Sequence, residues 1–233
     1  MKIFIGYNRG QDSVYQVAKA SILNYCDADI QPLIKPDLKH LCWKEDELAS
    51  TEFTYTRFLV PHLMDYKGWA LFVDCDFLFL DDVSKLFELA DDQYAVMCVK
   101  HDYYPQSNIK MDNKIQHSYP RKNWSSLILW NCSHVAHKKL TLDLINNSTG
   151  KYLHRFSWIR NKHIGSISHE WNWLVNWYHE PEDGKPKALH YTEGGPWITG
   201  KSDPYDILWL ESFKNYINSV KVNIINSINK TNS

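Results

Sequence analysis

Two aspartates in the segment 69–82, WALFVDCDFLFLDD, have the residue type and spacing of a metal site. Asp74 and Asp76 stand one residue apart at the end of an apolar run. Side chains on a β-strand alternate between its faces, so both carboxylates are expected to point to the same side. Two carboxylates at one point repel each other unless a cation or a shared proton lies between them. The spacing therefore favours a divalent metal at the end of a strand over residues 69–76.

A histidine late in the chain could complete such a site. His190 lies near the end of a predicted strand over residues 187–192. The glycine-rich turn TEGGPW follows, and its Trp197 could line the site. Carboxylate oxygens suit Mg²⁺, Ca²⁺ or Mn²⁺, and an added imidazole favours Mn²⁺. Asp-x-Asp is also common in ordinary turns, and a single histidine at a strand end is usually a packed or solvated residue. These residues alone leave both interpretations open.

The elements around these residues predict an α/β protein. An apolar strand opens the chain, a helix with Asp12 as its N-cap follows, and a second strand is predicted over residues 28–35. A helix over residues 54–66 then leads into the strand 69–76. Alternating strands and helices indicate a parallel sheet with a ligand crevice at the carboxyl ends of its strands. The less regular second half favours a mixed sheet with long loops.

Composition restricts the class of protein. The chain has 233 residues, of which 44% are hydrophobic, and its formal net charge of −1 argues against a nucleic-acid partner. Five cysteines without Cys-x-x-Cys spacing favour reduced thiols, and no run reaches the length of a membrane span. We therefore expect a cytoplasmic protein with at most peripheral contact at the inner face of a membrane. One domain is predicted over residues 1–221, followed by a polar tail over residues 222–233 that frays.

The segment 54–89 resembles the central block of nucleotide-sugar glycosyltransferases with the GT-A fold, in particular glycosyltransferase family eight, which includes glycogenin and bacterial lipopolysaccharide galactosyltransferases. That family has a Tyr-x-Arg-Phe helix, a strand ending in Asp-x-Asp and an acidic-Val/Leu-x-x-Leu stretch. The matching residues are Tyr55, Arg57, Phe58, Asp74, Asp76, Asp82, Val83 and Leu86. The family's late His-Tyr/Phe…Gly…Pro-Trp motif is matched by His190, Tyr191, Gly194, Gly195, Pro196 and Trp197.

The resemblance implies a Rossmann-like single domain with a central mixed, mostly parallel sheet flanked by helices. It also implies a nucleotide-sugar donor, usually a UDP-sugar, and Mn²⁺ or Mg²⁺. Asp74 would contact ribose and metal, and Asp76 and His190 would bind the metal. Arg57 would approach the nucleotide-sugar or order the loop beneath it, and a salt bridge on the helix surface is the alternative. The other residues assigned to the donor nucleotide and its phosphates are Gly6, Tyr7, Asn8, Arg9, Gly194, Gly195 and Lys201.

One position departs from the family's pattern. The family usually has a lysine just before Pro-Trp that reaches the departing phosphates, and this chain has Gly195 there. Lys201 and Arg9 are the candidate replacements, although neither is in register with the family's lysine.

The segment SHEWNW, residues 168–173, falls where the family places groups beside the donor sugar. Glu170 and Asn172 are the expected sugar contacts, and a solvated surface acid is the alternative for Glu170. His101 is predicted to line the donor or acceptor site, together with Asp102, Arg121, Lys122 and Asn123. The family implies front-face substitution with retention of configuration. The alternative, double displacement, would use Glu170 as its nucleophile.

The expected reaction is transfer of a hexose-type sugar to a glycan or lipid-linked saccharide, as in polysaccharide biosynthesis. Two alternatives stay open. A haloacid-dehalogenase-like phosphatase would use Asp74 as nucleophile and Asp76 as acid and base, although its motif normally lies on the first strand of the chain. A carbohydrate-binding module on the same fold would lack turnover altogether.

Overall fold

The computed structural model describes residues 1–47, 49–102, 121–198 and 202–231. Nine strands lie in these ranges: β1 Lys2–Gly6, β2 Asp29–Leu33, β3 Trp69–Val73, β4 Phe77–Phe79, β5 Val96–Val99, β6 Leu127–Asn131, β7 Ile164–Ile167, β8 Trp173–Leu174 and β9 Ala188–His190. The α-helices there are α1 Asp12–Leu23, α2 Val60–Leu63, α3 Ser84–Phe87, α4 Leu142–Asn147, α5 Gly150–His154 and α6 Asp206–Thr231. Short 3₁₀ helices cover Thr56–Leu59, Val135–Lys139, Asn161–His163 and His169–Asn172.

The larger sheet has six strands in the order β2-β1-β3-β6-β5-β7. Strand β1 runs parallel to β2 and β3, and β5 runs parallel to β7, whereas β6 is antiparallel to both of its neighbours. Four of the five residues of β3 and all of β6 are buried, which explains why their sequences read as continuous apolar runs instead of alternating patterns. The predicted mixed, mostly parallel α/β architecture is confirmed.

A second sheet of three strands, β4-β9-β8, lies next to the end of β3. Strand β4 is antiparallel to β9, and β8 is parallel to β9. Helix α1 packs against β4, and Ser21 Oγ accepts a hydrogen bond from Phe79 N at 3.0 Å. The sequence analysis did not predict β4 or β8, which are three and two residues long. This small sheet fixes where the chain goes after the Asp-x-Asp motif.

Several predicted elements have different bounds in the structure. Strand β3 ends at Val73, so the prediction that it continues to residue 76 is wrong. The predicted helix over residues 54–66 is a 3₁₀ turn followed by the four-residue α2, with Pro61 in its first turn. Helix α1 begins at Asp12 with Gln11 as its N-cap residue and without a capping side chain. Helix α6 reaches Thr231 and so includes most of the segment predicted as a tail. The division of the chain at residue 221 stays a prediction.

Within the described residues no helix combines the length and apolar character that crossing a membrane requires.

Candidate active site

The two aspartates lie in a tight turn between the sheets. Asp74 directly follows β3, and Phe77, directly after Asp76, begins β4. The backbone N–H of Asp74 donates to Ser126 O at 2.9 Å, which ties the turn to the segment that precedes β6. The carboxylates therefore converge because of this turn and not because they alternate along one strand. The two carboxylates lie close together, as the sequence predicted, but the cause is this turn.

Strand pairing brings His190 to the same place. Phe77 and His190 are paired across β4 and β9, and the N–H of Tyr191 donates to Asp76 O at 3.0 Å. His190 Nε2 lies 3.5 Å from Asp76 Oδ1. One ligand atom from each of Asp74, Asp76 and His190 can be chosen so that all three lie within 4.8 Å of one another. The structure thus unites the three residues that the sequence analysis selected as metal ligands.

Asp74 is held by a buried arginine. Arg57, in the 3₁₀ helix Thr56–Leu59, has only 4% of its surface exposed, and its Nη1 lies 2.8 Å from Asp74 Oδ1. The same Nη1 donates to Ser125 O at 2.8 Å. The rings of Phe53 and Phe72 lie 5.1 and 5.0 Å from the guanidinium carbon. The alternative of a salt bridge on the helix surface is therefore wrong, and the role of Arg57 toward a nucleotide-sugar stays a prediction.

Asp76 has no such arginine. Its Oδ1 is buried and has no hydrogen-bond partner among the residues that the structure describes. A buried carboxylate oxygen without a partner is costly, and a divalent cation removes this cost. Two carboxylates and an imidazole form a donor set suited to Mn²⁺ or Mg²⁺. The three residues therefore fit a divalent metal.

A chain of hydrogen bonds fixes the orientation of His190. Ser126 Oγ donates to Asn123 O at 2.7 Å, so it must accept the 2.9 Å bond from Asn172 Nδ2. The amide oxygen of Asn172 then faces His190 Nδ1 at 2.8 Å and accepts its proton. In the uncharged imidazole, Nε2 carries the lone pair and faces Asp76. The Phe77 ring stacks on the imidazole at a centroid distance of 4.5 Å and an angle of 16°.

Asn172 is fully buried, and hydrogen bonds occupy both ends of its amide. The structure therefore places it behind His190, with its amide committed to protein partners.

His101 lies in the same buried polar region. Its Nδ1 is 2.9 Å from the hydroxyl of Tyr178, and its carbonyl accepts from Trp124 Nε1 at 3.0 Å. Burial, the largest cause, together with the nearby His190 and His169, lowers the pKa of His101 from 6.5 to about 3. The uncharged ring is therefore the form present at neutral pH. His101 does not line the cleft that contains the three candidate ligands.

Glu170 is paired with a lysine outside that cleft. Its Oε2 lies 2.8 Å from Lys187 Nζ, and the backbone carbonyl of Glu170 accepts from Lys187 N at 2.7 Å. The hydrogen bond from Lys187 lowers the pKa of the Glu170 carboxyl. The structure does not bring Glu170 together with Asp76 and His190, and its role as sugar contact or nucleophile stays a prediction.

The first turn of the chain contributes Asn8 to the cleft. Asn8 Oδ1 accepts from Glu52 N at 3.1 Å, and its Nδ2 donates to Gln11 Oε1 at 3.2 Å. Gly6 lies under Phe53, and a Cβ there would be only 2.5 Å from Phe53 Cδ2. This close approach accounts for the glycine.

The neighbours of Asn8 point elsewhere. The Tyr7 hydroxyl donates to Asp12 Oδ1, and Arg9, whose side chain is 73% exposed, lies 3.8 Å from Glu52. Neither residue lines the described cleft. The structure therefore shows no contact of Tyr7 or Arg9 with the cleft, and their roles toward the nucleotide stay predictions.

The glycines after His190 form a sharp turn. Gly194 has φ +95° and donates its N–H to Tyr191 O at 2.7 Å. A Cβ on Gly195 would lie 2.6 Å from the Trp197 ring and 2.9 Å from Tyr191. A side chain at position 195 would therefore require the Trp197 and Tyr191 rings to move, which fits the glycine at this position. Lys201 lies outside the described residues.

A narrow cleft surrounds the candidate ligands. It is lined by Asn8, Gln11, Ser50, Thr51, Phe53, Arg57, Asp74, Cys75, Asp76, Asn123, His190, Thr192 and Trp197. Sequence reasoning missed Gln11, Ser50, Thr51, Phe53, Cys75 and Thr192. Thr192 was detectable because it stands two residues after His190, and Cys75 because it separates the aspartates. Ser50 and Thr51 lie in a loop without any motif.

The side chains of residues 121–123, which precede β6, point in different directions. Arg121 donates to Arg155 O and to Asn161 Oδ1, away from the cleft, and Lys122 is buried. Asn123, in a left-handed conformation with φ +63°, lines the cleft. Of these three residues, only Asn123 lines the cleft, and its role toward donor or acceptor stays a prediction.

Solved glycosyltransferases share this fold. The bifunctional glycosyltransferase WbbM aligns over 92% of this chain with a TM-score of 0.64 and 14% identity, and the glycosyltransferase GlyE of Streptococcus pneumoniae TIGR4 over 96% with 0.64 and 14%. This chain covers 50% and 64% of those two proteins. The galactosyltransferase LgtC, solved with donor and acceptor sugar analogues, aligns over 92% of this chain and 96% of its own length, with a TM-score of 0.59 and 11% identity. The fold is that of GT-A glycosyltransferases.

No family model matches the chain. Protein CDI of Arabidopsis thaliana is 47% identical over 224 residues, which cover 92% of this chain and 86% of that protein. Identity at this level over nearly the whole length establishes common descent, so the chain belongs to the family of Protein CDI.

Proposed function

We propose that this chain is a metal-dependent glycosyltransferase that moves a hexose-type sugar from a nucleotide-sugar, a UDP-sugar in the first instance, to a glycan or lipid-linked acceptor. The observation that carries the proposal is the cluster of Asp74, Asp76 and His190 at the end of β3 on a GT-A fold. The cluster supports it because Arg57 restrains Asp74, Asp76 has a carboxylate oxygen without a hydrogen-bond partner among the described residues, and Asn172 orients His190 so that Nε2 faces Asp76.

Each residue has a separate part in this proposal. Asp76 Oδ1 and His190 Nε2 would bind the divalent cation directly, and Asp74 would contact it while Arg57 limits the repulsion between the two acids. A bound cation supplies charge stabilisation for the departing nucleoside diphosphate. Asn172 orients His190, and we assign it this positioning role in place of a contact with the sugar. Asn8, which lines the cleft, would contact the nucleotide.

We further propose retention of configuration by front-face substitution. Among the described residues that line the cleft, Asp74 and Asp76 are the carboxylates, and both belong to the proposed metal site. This supports a mechanism without a protein nucleophile. Glu170, the candidate nucleophile of the double-displacement alternative, is engaged by Lys187. Determining the anomeric configuration of the product by NMR tests this part, and an inverted product would rule it out.

The phosphatase alternative is less well supported. It would use Asp74 as the nucleophile, yet Arg57 holds the Oδ1 of that residue in a buried ion pair. The motif also follows β3 instead of the first strand. Release of phosphate from sugar phosphates, without any need for a nucleotide-sugar, would favour the phosphatase.

A panel of nucleotide-sugars tests the proposal directly. Thermal unfolding is measured with each donor, with and without Mn²⁺, because a ligand that binds the folded state raises its melting temperature by mass action. We expect a rise for at least one donor that depends on Mn²⁺, and slow release of the nucleoside diphosphate from that donor. Asp76→Asn should abolish both effects. A non-catalytic carbohydrate-binding module would give no release, and unchanged effects in Asp76→Asn would refute the metal site.

A further inference from the structure

Two hydrogen-bond donors in the cleft lack partners. The indole Nε1 of Trp197 and the amide Nδ2 of Asn123 are buried, and neither has a hydrogen-bond partner among the described residues. Both side chains line the cleft that contains Asp76 and His190. A buried donor without an acceptor destabilises a folded protein. Two such donors beside one cluster therefore point to a ligand that carries several acceptor oxygens.

The cleft offers little positive charge to such a ligand. Of its described lining residues, Arg57 is the one with a permanent cation, and its Nη1 contacts Asp74 and Ser125 O. Position 195, in the turn after His190, is a glycine, and a Cβ there would lie only 2.6 Å from the Trp197 ring. An anionic group in this cleft would therefore meet uncharged donors.

The surroundings of Asn123 fix which end of its amide is available. Thr192 Oγ1 donates to Asn123 Oδ1 at 3.4 Å, which leaves Nδ2 for a ligand. The left-handed backbone at Asn123 is a conformation that asparagine tolerates better than most residues. The carbonyl of Asn123 also accepts from Ser126 Oγ, at the start of the chain of bonds that orients His190. Asn123 is therefore rigidly connected to the candidate metal ligand.

We propose that Trp197 Nε1 and Asn123 Nδ2 donate hydrogen bonds to the diphosphate of the donor, in place of a cationic side chain. This inference rests on the proposed function. Oriented neutral donors in a site shielded from water stabilise developing negative charge because they need no reorganisation when the charge appears. The rigid contacts of Asn123 supply such an orientation, and the Trp197 ring packs against Tyr191 and Trp209 at centroid distances of 5.6 and 5.1 Å.

Calorimetric titration with UDP in the presence of Mn²⁺ tests the inference. Trp197→Phe removes the N–H and keeps an aromatic ring, and we expect about a tenfold loss of UDP affinity with unchanged affinity for Mn²⁺ alone. Asn123→Asp keeps the acceptor for Thr192 and replaces the donor with a carboxylate, so a larger loss is expected. The matched control is Trp158→Phe, which removes a buried, unpartnered indole N–H outside the cleft and should leave UDP affinity unchanged.

The outcomes separate this inference from the proposed function. If wild-type protein binds UDP with Mn²⁺ and Trp197→Phe and Asn123→Asp bind it equally well, the inference is overturned and the proposed function stands. If Lys201→Gln weakens UDP binding and the two cleft variants do not, a lysine holds the diphosphate and the inference is again overturned. If the folded wild-type protein binds no nucleoside diphosphate with Mn²⁺, the proposed function fails and takes the inference with it.

Discussion

The amide oxygen of Asn172 lies 2.8 Å from Nδ1 of His190, and this contact determines which ring nitrogen faces the aspartates. The amide N–H₂ of Asn172 donates to Ser126 Oγ, so a flip of the amide would break one hydrogen bond at each of its ends. Partners behind a ligand that fix its tautomer are a general property of metal-binding histidines. A substitution of Asn172, which is not itself a proposed ligand, should therefore change the metal affinity of the site in a predictable direction.

Replacing Asn172 should weaken metal binding without removing a ligand. Asn172→Ala frees the His190 ring, so we expect a 10- to 100-fold loss of Mn²⁺ affinity by calorimetry. Asn172→Asp keeps an acceptor for Nδ1 and should retain most of the affinity. Asn147→Ala, at an exposed asparagine bonded to Asp143, is the control. Equal Mn²⁺ affinity in Asn172→Ala and wild type would show that the contact has no orienting role.

Asp76→Asn should separate metal binding from stability. The substitution removes a proposed ligand, so Mn²⁺ should no longer raise the melting temperature. Without metal, the variant should be at least as stable as wild type, because it removes a buried carboxylate oxygen without a partner. Thermal unfolding with and without Mn²⁺ measures both effects. The control is Asp81→Asn at the partly exposed Lys85 pair, where the Mn²⁺ effect should persist.

Arg57→Met should strongly destabilise the fold. The substitution leaves the Asp74 carboxylate in a mostly buried place without its cation, and breaking one side of a buried pair costs about 3–5 kcal/mol of unfolding free energy. Urea denaturation measures this loss. The double variant with Asp74→Asn should recover part of it, because the remaining charge is gone. Additive losses in the double variant would show that the two residues do not interact.

Stability should fall with acid because of His137. Burial, the largest cause, lowers the pKa of this histidine from 6.5 to about 4 in the folded protein. Below pH 6.5 the unfolded chain binds a proton that the folded chain does not, so unfolding becomes easier as the pH falls toward 4. The loss attributable to His137 between neutral pH and pH 5 is about 2 kcal/mol.

The variant His137→Gln tests this expectation. Glutamine can still donate to Ala95 O, the 3.0 Å partner of His137 Nε2, but it does not titrate. Urea denaturation at pH 7 and pH 5 should therefore give a shallower loss in the variant. Equal losses of unfolding free energy in the variant and wild type would contradict the assignment.

The sequence predicted β1, β2 and β3 of the central sheet, and β3 was recognisable as a buried apolar run that ends at a turn. It also selected Asp74, Asp76 and His190, since acids and a histidine at strand ends are conspicuous in such runs. The sequence did not reveal why they meet. The pairing of Phe77 with His190 depends on β4 and β9, each three residues long and too short to give a periodic pattern.

The ion-pair partners of Arg57 and Glu170 could not be predicted from the sequence either. From the sequence, Arg57 suited a surface salt bridge as well as a functional role, and Glu170 suited a solvated surface acid almost as well as a sugar contact. Folding paired Arg57 with Asp74 at the cleft and Glu170 with Lys187 outside it. These pairings depend on contacts between residues 17 apart in both cases, through turns whose geometry no local pattern determines. The uncharged lining residues Gln11, Ser50 and Thr51 escaped prediction for the same reason.

The pairing of β4 with β9 also sets an order of events during synthesis. His190 is made 114 residues after Asp76, so the nascent chain carries both acids long before it carries the imidazole. At roughly 5–20 residues per second, the ribosome needs about 6 to 23 s to cover that interval. The three proposed ligands are therefore all present only once β9 has been made.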